Sequence, residues 1–288
     1  MKKQYIRGTL LECINGENLL KLQESAQISL RNCQGIDLIN RSNDYMTPAG
    51  RYDTSTLPED QYEPGSDETV LRNLLGITSK EELEYVEEVR FEQLMEEVLS
   101  RFDCDHCFTA ADILGLHKFW LDGIFIWAGS YRTVNIGNGG FMFAASAHVP
   151  ELMRKYENGQ LARLTPCRSG REEELAAALA EKLVLIHPFR EGNGRIARLL
   201  SVLMALQAGL PPLDFSDLTG ERLQEYFSAI RLGMNRDYRL MTKIFLKIIN
   251  LSLNACRSKG WRFFFNDRGT NFFCLYPLNS KRGDERTF

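Results

Sequence analysis

Between residues 186 and 198 the chain reads IHPFREGNGRIAR. Within twelve residues stand His187, Glu191, Gly192, Asn193, Gly194, Arg195 and Arg198, bordered by two apolar runs. Each type has a use in one kind of chemistry. An imidazole takes a proton near neutral pH. Glycines let phosphate oxygens come close to the backbone. Two arginines three residues apart can reach one anion with forked donors. A carboxylate beside bare phosphate would repel it, but becomes useful where a divalent cation bridges the two, and hard oxygen ligands suit Mg²⁺. Taken together the residues read as phosphoanhydride chemistry: a nucleotide is bound, its charge is neutralised and an attacking hydroxyl is deprotonated.

The flanking segments say how these groups are held. Residues 172–186 (EEELAAALAEKLVLI) are rich in strong helix formers, with Leu175, Leu179, Leu183 and Ile186 on one stripe. Pro188 pushes His187 out of helical conformation and ends that helix. Residues 193–208 regain helical periodicity through Ile196, Leu199, Leu200, Leu203 and Leu206. The second helix therefore begins inside the glycine turn, and a helix start offers N–H groups and partial positive charge to an anion.

At this point the residues carry a resemblance. HPFREGNGRIAR is similar to the signature of the Fic family (filamentation induced by cAMP), HPFx[D/E]GNGRxxR, and matches it at every fixed position. The likeness runs from about Tyr62 to Leu253. It implies transfer of AMP from ATP to a Ser, Thr or Tyr hydroxyl of a target protein, with pyrophosphate released and with ATP and Mg²⁺ required. It makes His187 the base and Glu191 the Mg²⁺ ligand. Gly192, Asn193 and Gly194 become the phosphate cradle, Arg195 the contact to the inner phosphates and Arg198 the contact to the γ-phosphate. Phe189 belongs to the same ATP-binding loop, as a structural residue turned into the core.

Length and composition set bounds. At 288 residues the chain suits one large domain, or one domain with small appendages. A net charge of −3 gives no electrostatic case for nucleic acid or membrane binding. No apolar run reaches the length of a membrane span, and the first ten residues lack the apolar core of a signal peptide. Seven scattered cysteines fit reduced thiols, so a cytoplasmic location is expected.

Residues 1–40 read as a helical extension. In the Fic family a helix carrying [S/T]xxxE[G/N] often restrains the second signature arginine, here Arg198. Neither near-match fits: residues 13–18 have Cys13 for the hydroxyl, and residues 30–35 have Gln34 for the acid. A cap without regulatory role and a degenerate inhibitory segment both stay open. Residues 41–66 read as a linker, 67–253 as the Fic domain and 254–288 as a C-terminal extension. Residues 63–76 are expected to lead into a helix capped by Ser66 or Asp67, with Leu71, Leu74 and Leu75 inward. Residues 79–100 read as an amphipathic helix with its glutamates in water. Cys104 and Cys107 form a CxxC that lacks a second half, so a turn is expected there rather than a zinc or redox site. The helix over 109–124, with His117 and Trp120, is read as core.

Residues 123–144 read as a hairpin: Val134 and Ile136 alternate with polar residues, 137–140 turn, and Phe141 to Phe143 return. The stretch resembles the Fic flap, whose edge pairs with a target segment. That implies docking at Ile136, Gly137, Gly140 and Phe141, and nucleotide contacts from Asn138 and Gly139. Asn138 stands where the family commonly has lysine. Tyr226 and Asn235 are nucleoside-contact candidates by the same resemblance. The tail from Arg257 holds more basic than acidic residues; a short strand pair or an extension is expected there, ahead of a nucleic-acid surface.

The architecture expected is all-α: a Fic-type helical bundle with a β-hairpin flap beside the active-site loop. Three functions are carried forward. The first is AMP transfer to protein. The second is phosphoryl or phosphocholine transfer on the same scaffold, against which Gly194 argues because the phosphorylating branch has lysine there. The third is a nucleotide-binding toxin component silenced by a small antitoxin. The partners expected are a protein bearing a hydroxyl side chain and, in the third case, that antitoxin.

Overall fold

A computed structural model describes residues 57–138, 141–168, 172–180, 183–258, 264–265 and 271–272. The reading of residues 1–40 as a cap, and the two near-matches within it, lies outside these residues.

The chain folds as helices around one buried helix. In order these are α1 (Lys80–Arg101), α2 (Ala110–Leu121), the strands β1 (Gly137–Asn138) and β2 (Phe141–Met142), α3 (Val149–Tyr156), α4 (Glu172–Ala180), α5 (Leu183–Ile186), α6 (Asn193–Gln207), α7 (Gly220–Met234) and α8 (Arg239–Ser258). A single π-turn over Glu157–Leu161 follows α3. A last antiparallel pair joins Phe264–Phe265 to Asn271–Phe272 in the C-terminal extension.

The starts of α1 and α2 are written in local chemistry. Ser79 accepts a hydrogen bond from the Glu82 amide and opens α1. Thr109 and Asp112 form a reciprocal capping box that opens α2 directly after the CxxC turn. In that turn His106 lies 3.0 Å from the Asp112 carboxylate. Among the described residues no group of three or more His, Cys, Asp or Glu side chains could hold a metal ion. α6 is buried on nearly every side, with Leu199, Leu203 and Ala205 wholly inaccessible, so the other helices pack around it. α8 lies along α4, and α1 and α6 both pack against α2. Among the described residues no helix is long and apolar enough to cross a membrane.

Two expectations about α1 and its approach need correction. Residues 63–76 do not form a helix: Tyr62 bridges Leu71 as an extended pair, and Leu74 and Leu75 are 59% and 50% exposed. The cause is Asn73. Its Oδ1 accepts from the amides of Leu75 and Ile77, and its Nδ2 donates to the carbonyls of Leu71 and Ile77, so one buried side chain replaces a helical ladder. The glutamates of α1 do not all face water either. Glu87 is 1% exposed and lies on the inward stripe with Leu83, Phe91, Leu94 and Val98.

Candidate active site

The signature forms a tight turn between α5 and α6. His187 leaves α5 with a positive φ of 51°, its amide still bonded to the Leu183 carbonyl at 3.1 Å. Its Nδ1 lies 2.9 Å from the Val184 carbonyl. A carbonyl can only accept, so in the neutral ring Nδ1 carries the proton and Nε2 the lone pair. The ring stacks on Phe143 at 3.7 Å with planes 12° apart. Phe143 directly follows β2, so flap and imidazole touch.

Asn193 sets the shape of the turn. Its Oδ1 accepts from the Phe189 amide and its Nδ2 donates to the Phe189 carbonyl, both at 2.8 Å. The side chain is thus turned to the loop's own backbone. Phe189 itself is fully buried and lies flat on the His117 ring, 3.8 Å away at 6°. Gly192 caps α6 at φ 79°, and a side chain there would strike the Trp120 ring, passing 2.9 Å from Cη2. That close approach, with the positive φ, requires glycine. Gly194 occupies the first turn, whose amide groups point out of the helix end. The Glu191 carboxylate accepts from the Gly192 amide at 3.0 Å and lies 3.9 Å from Arg195. Its side chain stays 15% accessible.

The two arginines are held differently. Arg195 donates to the Glu87 carboxylate at 2.8 Å and sits over the Trp120 ring, 4.1 Å from its centre. Trp120 Nε1 in turn donates to the Glu87 carbonyl at 2.8 Å. The guanidinium assigned to inner phosphates is therefore packed beneath the turn, 6% exposed. Arg198 shares the wall of an interior cavity with Tyr226, Ala229, Ile230 and Gly233. At about 30 Å³ the cavity has room for a water, not for a nucleoside. Asn235 caps the end of α7, is exposed and does not line that cavity.

The hairpin is shorter than its sequence suggests. Gly137 pairs with Met142 and Asn138 with Phe141, and the Phe143 amide donates to the Ile136 carbonyl at 3.2 Å. Ile136 is 3% exposed, so its side chain anchors the flap in the body. Gly139 and Gly140 lie outside the described residues.

Several residues that shape this site are not placed in it by the sequence, which gives His117 only as core. His117 is fully buried; it accepts at Nδ1 from the Gly129 amide at 2.8 Å and lies with Nε2 3.2 Å from the Glu191 carbonyl. Burial pushes its pKa down to about 3, so it is neutral and bridges as donor and acceptor. Glu59, in the segment read as linker, is 6% exposed; it accepts from the Thr133 amide and hydroxyl, and its carbonyl accepts from Arg190. Arg132 is 2% exposed and bonds both arms of the flap as well as the signature. Glu87 had a signal: an acid at helical spacing on an apolar stripe must have a partner inside. Arg132 had none.

Residues 107–205 match the sequence model of the Fic/DOC family. The chain is 32% identical over 161 residues to the probable protein adenylyltransferase y4lH of Sinorhizobium fredii, covering 53% of this chain and 79% of that one. It is 29% identical over 190 residues to the protein adenylyltransferase VbhT of Bartonella schoenbuchensis, covering 62% of this chain but only 37% of the relative. It spans 26% of protein adenylyltransferase fic-1 of Caenorhabditis briggsae. The fold is that of the N-terminal Fic domain of an effector from Bartonella sp. AR 15-3, with a TM-score of 0.54, 22% identity, and 70% and 94% of the two chains covered. It also matches Fic-1 of C. elegans, with a TM-score of 0.53, 23% identity, and 87% and 66% covered. With its signature turn at the start of a buried helix, and a relative matched over most of that relative's length, the chain belongs to the Fic/DOC family.

Proposed function

We propose that this protein is an adenylyltransferase that moves AMP from ATP to a Ser, Thr or Tyr hydroxyl of a target protein. The observation that carries the reading is the placement of His187: Nδ1 is tied to the Val184 carbonyl, the lone pair is on Nε2, and the ring lies against the end of the flap beside the α6 start. The hydroxyl oxygen attacks the α-phosphorus, the bond to the pyrophosphate oxygen breaks, and the hydroxyl proton passes to Nε2. The amides of Asn193 and Gly194 receive phosphate oxygens at the helix start, where the Gly192 amide is held by Glu191, and Arg198, 3% exposed beside Tyr226, adds positive charge on that side of α6. Arg195 adds positive charge beneath the turn while Glu87 and Trp120 hold its fork. The names of the relatives, protein adenylyltransferases, support the same reading.

A divalent cation fits beside Glu191, whose carboxylate remains partly accessible at the turn. One carboxylate with phosphate oxygens and water is a donor set that suits Mg²⁺. When bound there it would neutralise phosphate charge. In the hairpin, the short β1–β2 pair offers backbone groups to a target segment, which asks little of the target's sequence.

The test is incubation with α-labelled and γ-labelled ATP in parallel, on lysate, with and without Mg²⁺. Protein label from the α position alone, lost without Mg²⁺, is the expected result. Label from the γ position would make the enzyme a phosphoryl transferase, and label from neither would refute transfer.

A further inference from the structure

We propose that Arg132 is a positioning residue that locks the flap and His187 into one unit, so that a segment paired with the flap is held at a fixed distance from the imidazole. The inference deepens the reading of His187 as base and rests on it. One buried guanidinium reaches four carbonyls. Nε donates to His187 and Nη1 to Val134, each at 2.7 Å; Nη2 donates to Ala144 and, at 3.4 Å, to Ile186. The Arg132 amide donates to the Pro188 carbonyl at 2.9 Å. Val134 lies before β1 and Ala144 after β2, so the fork closes the base of the hairpin. Its third arm grips the residue that carries the imidazole. Phe143 completes the circuit, with its amide on Ile136 in the opposite arm and its ring on the His187 ring.

The chemistry calls for arginine. A planar fork satisfies carbonyls in several directions at once, which a lysine ammonium on a flexible stem cannot do. Burial pushes the Arg132 pKa down to about 10, opposed by the nearby Glu59 carboxylate, so the group is cationic at neutral pH. Glu59 also holds the Thr133 amide, the next residue of the same arm, at 2.7 Å. Every contact joins the hairpin arms, the signature turn or residue 59. None goes to the Asn193–Gly194 backbone proposed to bind phosphate. The lock should therefore govern alignment for reaction and not nucleotide affinity.

The test uses the full chain carrying Arg132→Lys, with Phe143→Leu as a second variant at a half-buried position that is milder for folding, and Phe143→Tyr as its conservative rescue. Two readouts are taken: hydrogen exchange over residues 134–138 and 183–192, and AMP transfer with ATP affinity measured separately. Exchange is expected to speed up in both segments together, while α1 keeps wild-type protection. The turnover number is expected to fall by about 100-fold with ATP affinity within about twofold, since misalignment by roughly 1 Å costs that much. Phe143→Tyr should restore turnover. Faster exchange in the hairpin with unchanged protection of the signature overturns the proposal, as does loss of ATP affinity equal to the loss of turnover. If the wild-type chain transfers no AMP, the adenylyltransferase reading fails on its own, and the exchange data still decide the coupling.

Discussion

Replacing Glu87 by Ala should destabilise the protein more than any surface substitution, although Glu87 is not one of the signature residues. The carboxylate and the Arg195 guanidinium are 2.8 Å apart, with side chains 1% and 7% accessible. Removing one member of such a pair leaves an uncompensated buried charge, which costs about 3–5 kcal/mol. Glu191, 3.9 Å from Arg195, offsets part of that loss, so the lower end is expected. For a chain of this size the denaturation midpoint should drop by on the order of 10 °C. Glu151→Ala removes a comparably short pair with Arg154 that is solvent-exposed, and should leave the midpoint unmoved. The informative protein is the double variant Glu87→Ala with Arg195→Met, because replacing both charges removes the stranded one. Its loss should fall short of the sum of the single losses by about 2–4 kcal/mol. Urea denaturation of the wild type, the two single variants and the double variant gives the cycle. A cost for Glu87→Ala below about 1 kcal/mol, or additive losses, would refute the view that this pair anchors the start of α6.

Other outcomes follow from the same geometry. His187→Ala should lower AMP transfer by about 10²–10⁴-fold while ATP binding, read by calorimetry, persists; undiminished labelling would sink the assignment of the base. Gly192→Ala places a methyl group against Trp120 at φ 79°; a loss of roughly 2 kcal/mol in thermal or urea denaturation is expected, and a neutral result would mean the turn can move. Glu191→Gln should remove the Mg²⁺ dependence of ATP binding while leaving the fold intact by circular dichroism; binding that still responds to Mg²⁺ would place the cation elsewhere. His117 carries a pH signature: its folded pKa, about 3, lies below the ordinary 6.5. Its neutral form is the folded form, so its contribution is complete above pH 6.5 and is lost as pH falls toward 3, by roughly 1 kcal/mol per unit. Stability measured from pH 7 to 4 should show that slope, and His117→Gln should flatten it.

Much of the site was legible because one short segment contains it. The HPFREGNGRIAR run holds the histidine, the acid, the glycine turn and the two arginines in that order, and Pro188 and Gly192 announce where one helix stops and the next starts. Helical periodicity likewise located α1, α2 and α6 to within a few residues, since an apolar stripe at period 3.6 is a local property. Residues 63–76 misled that reading because a single side chain, Asn73, takes over the backbone bonding that a helix would have used.

What tertiary structure alone decided is which polar groups meet. Arg195 and Arg198 look equivalent in the sequence, three residues apart on one helix. Only the packing of α2 against both α1 and α6 commits Arg195 to Glu87 and Trp120, both far from it along the chain, and leaves Arg198 on the side of Tyr226. Likewise nothing local to Arg132 says that it bonds the carbonyl of His187, 55 residues on. The physical reason is that burial turns a polar group from a solvated surface feature into one that must find a partner, and the partner is set by which helices touch.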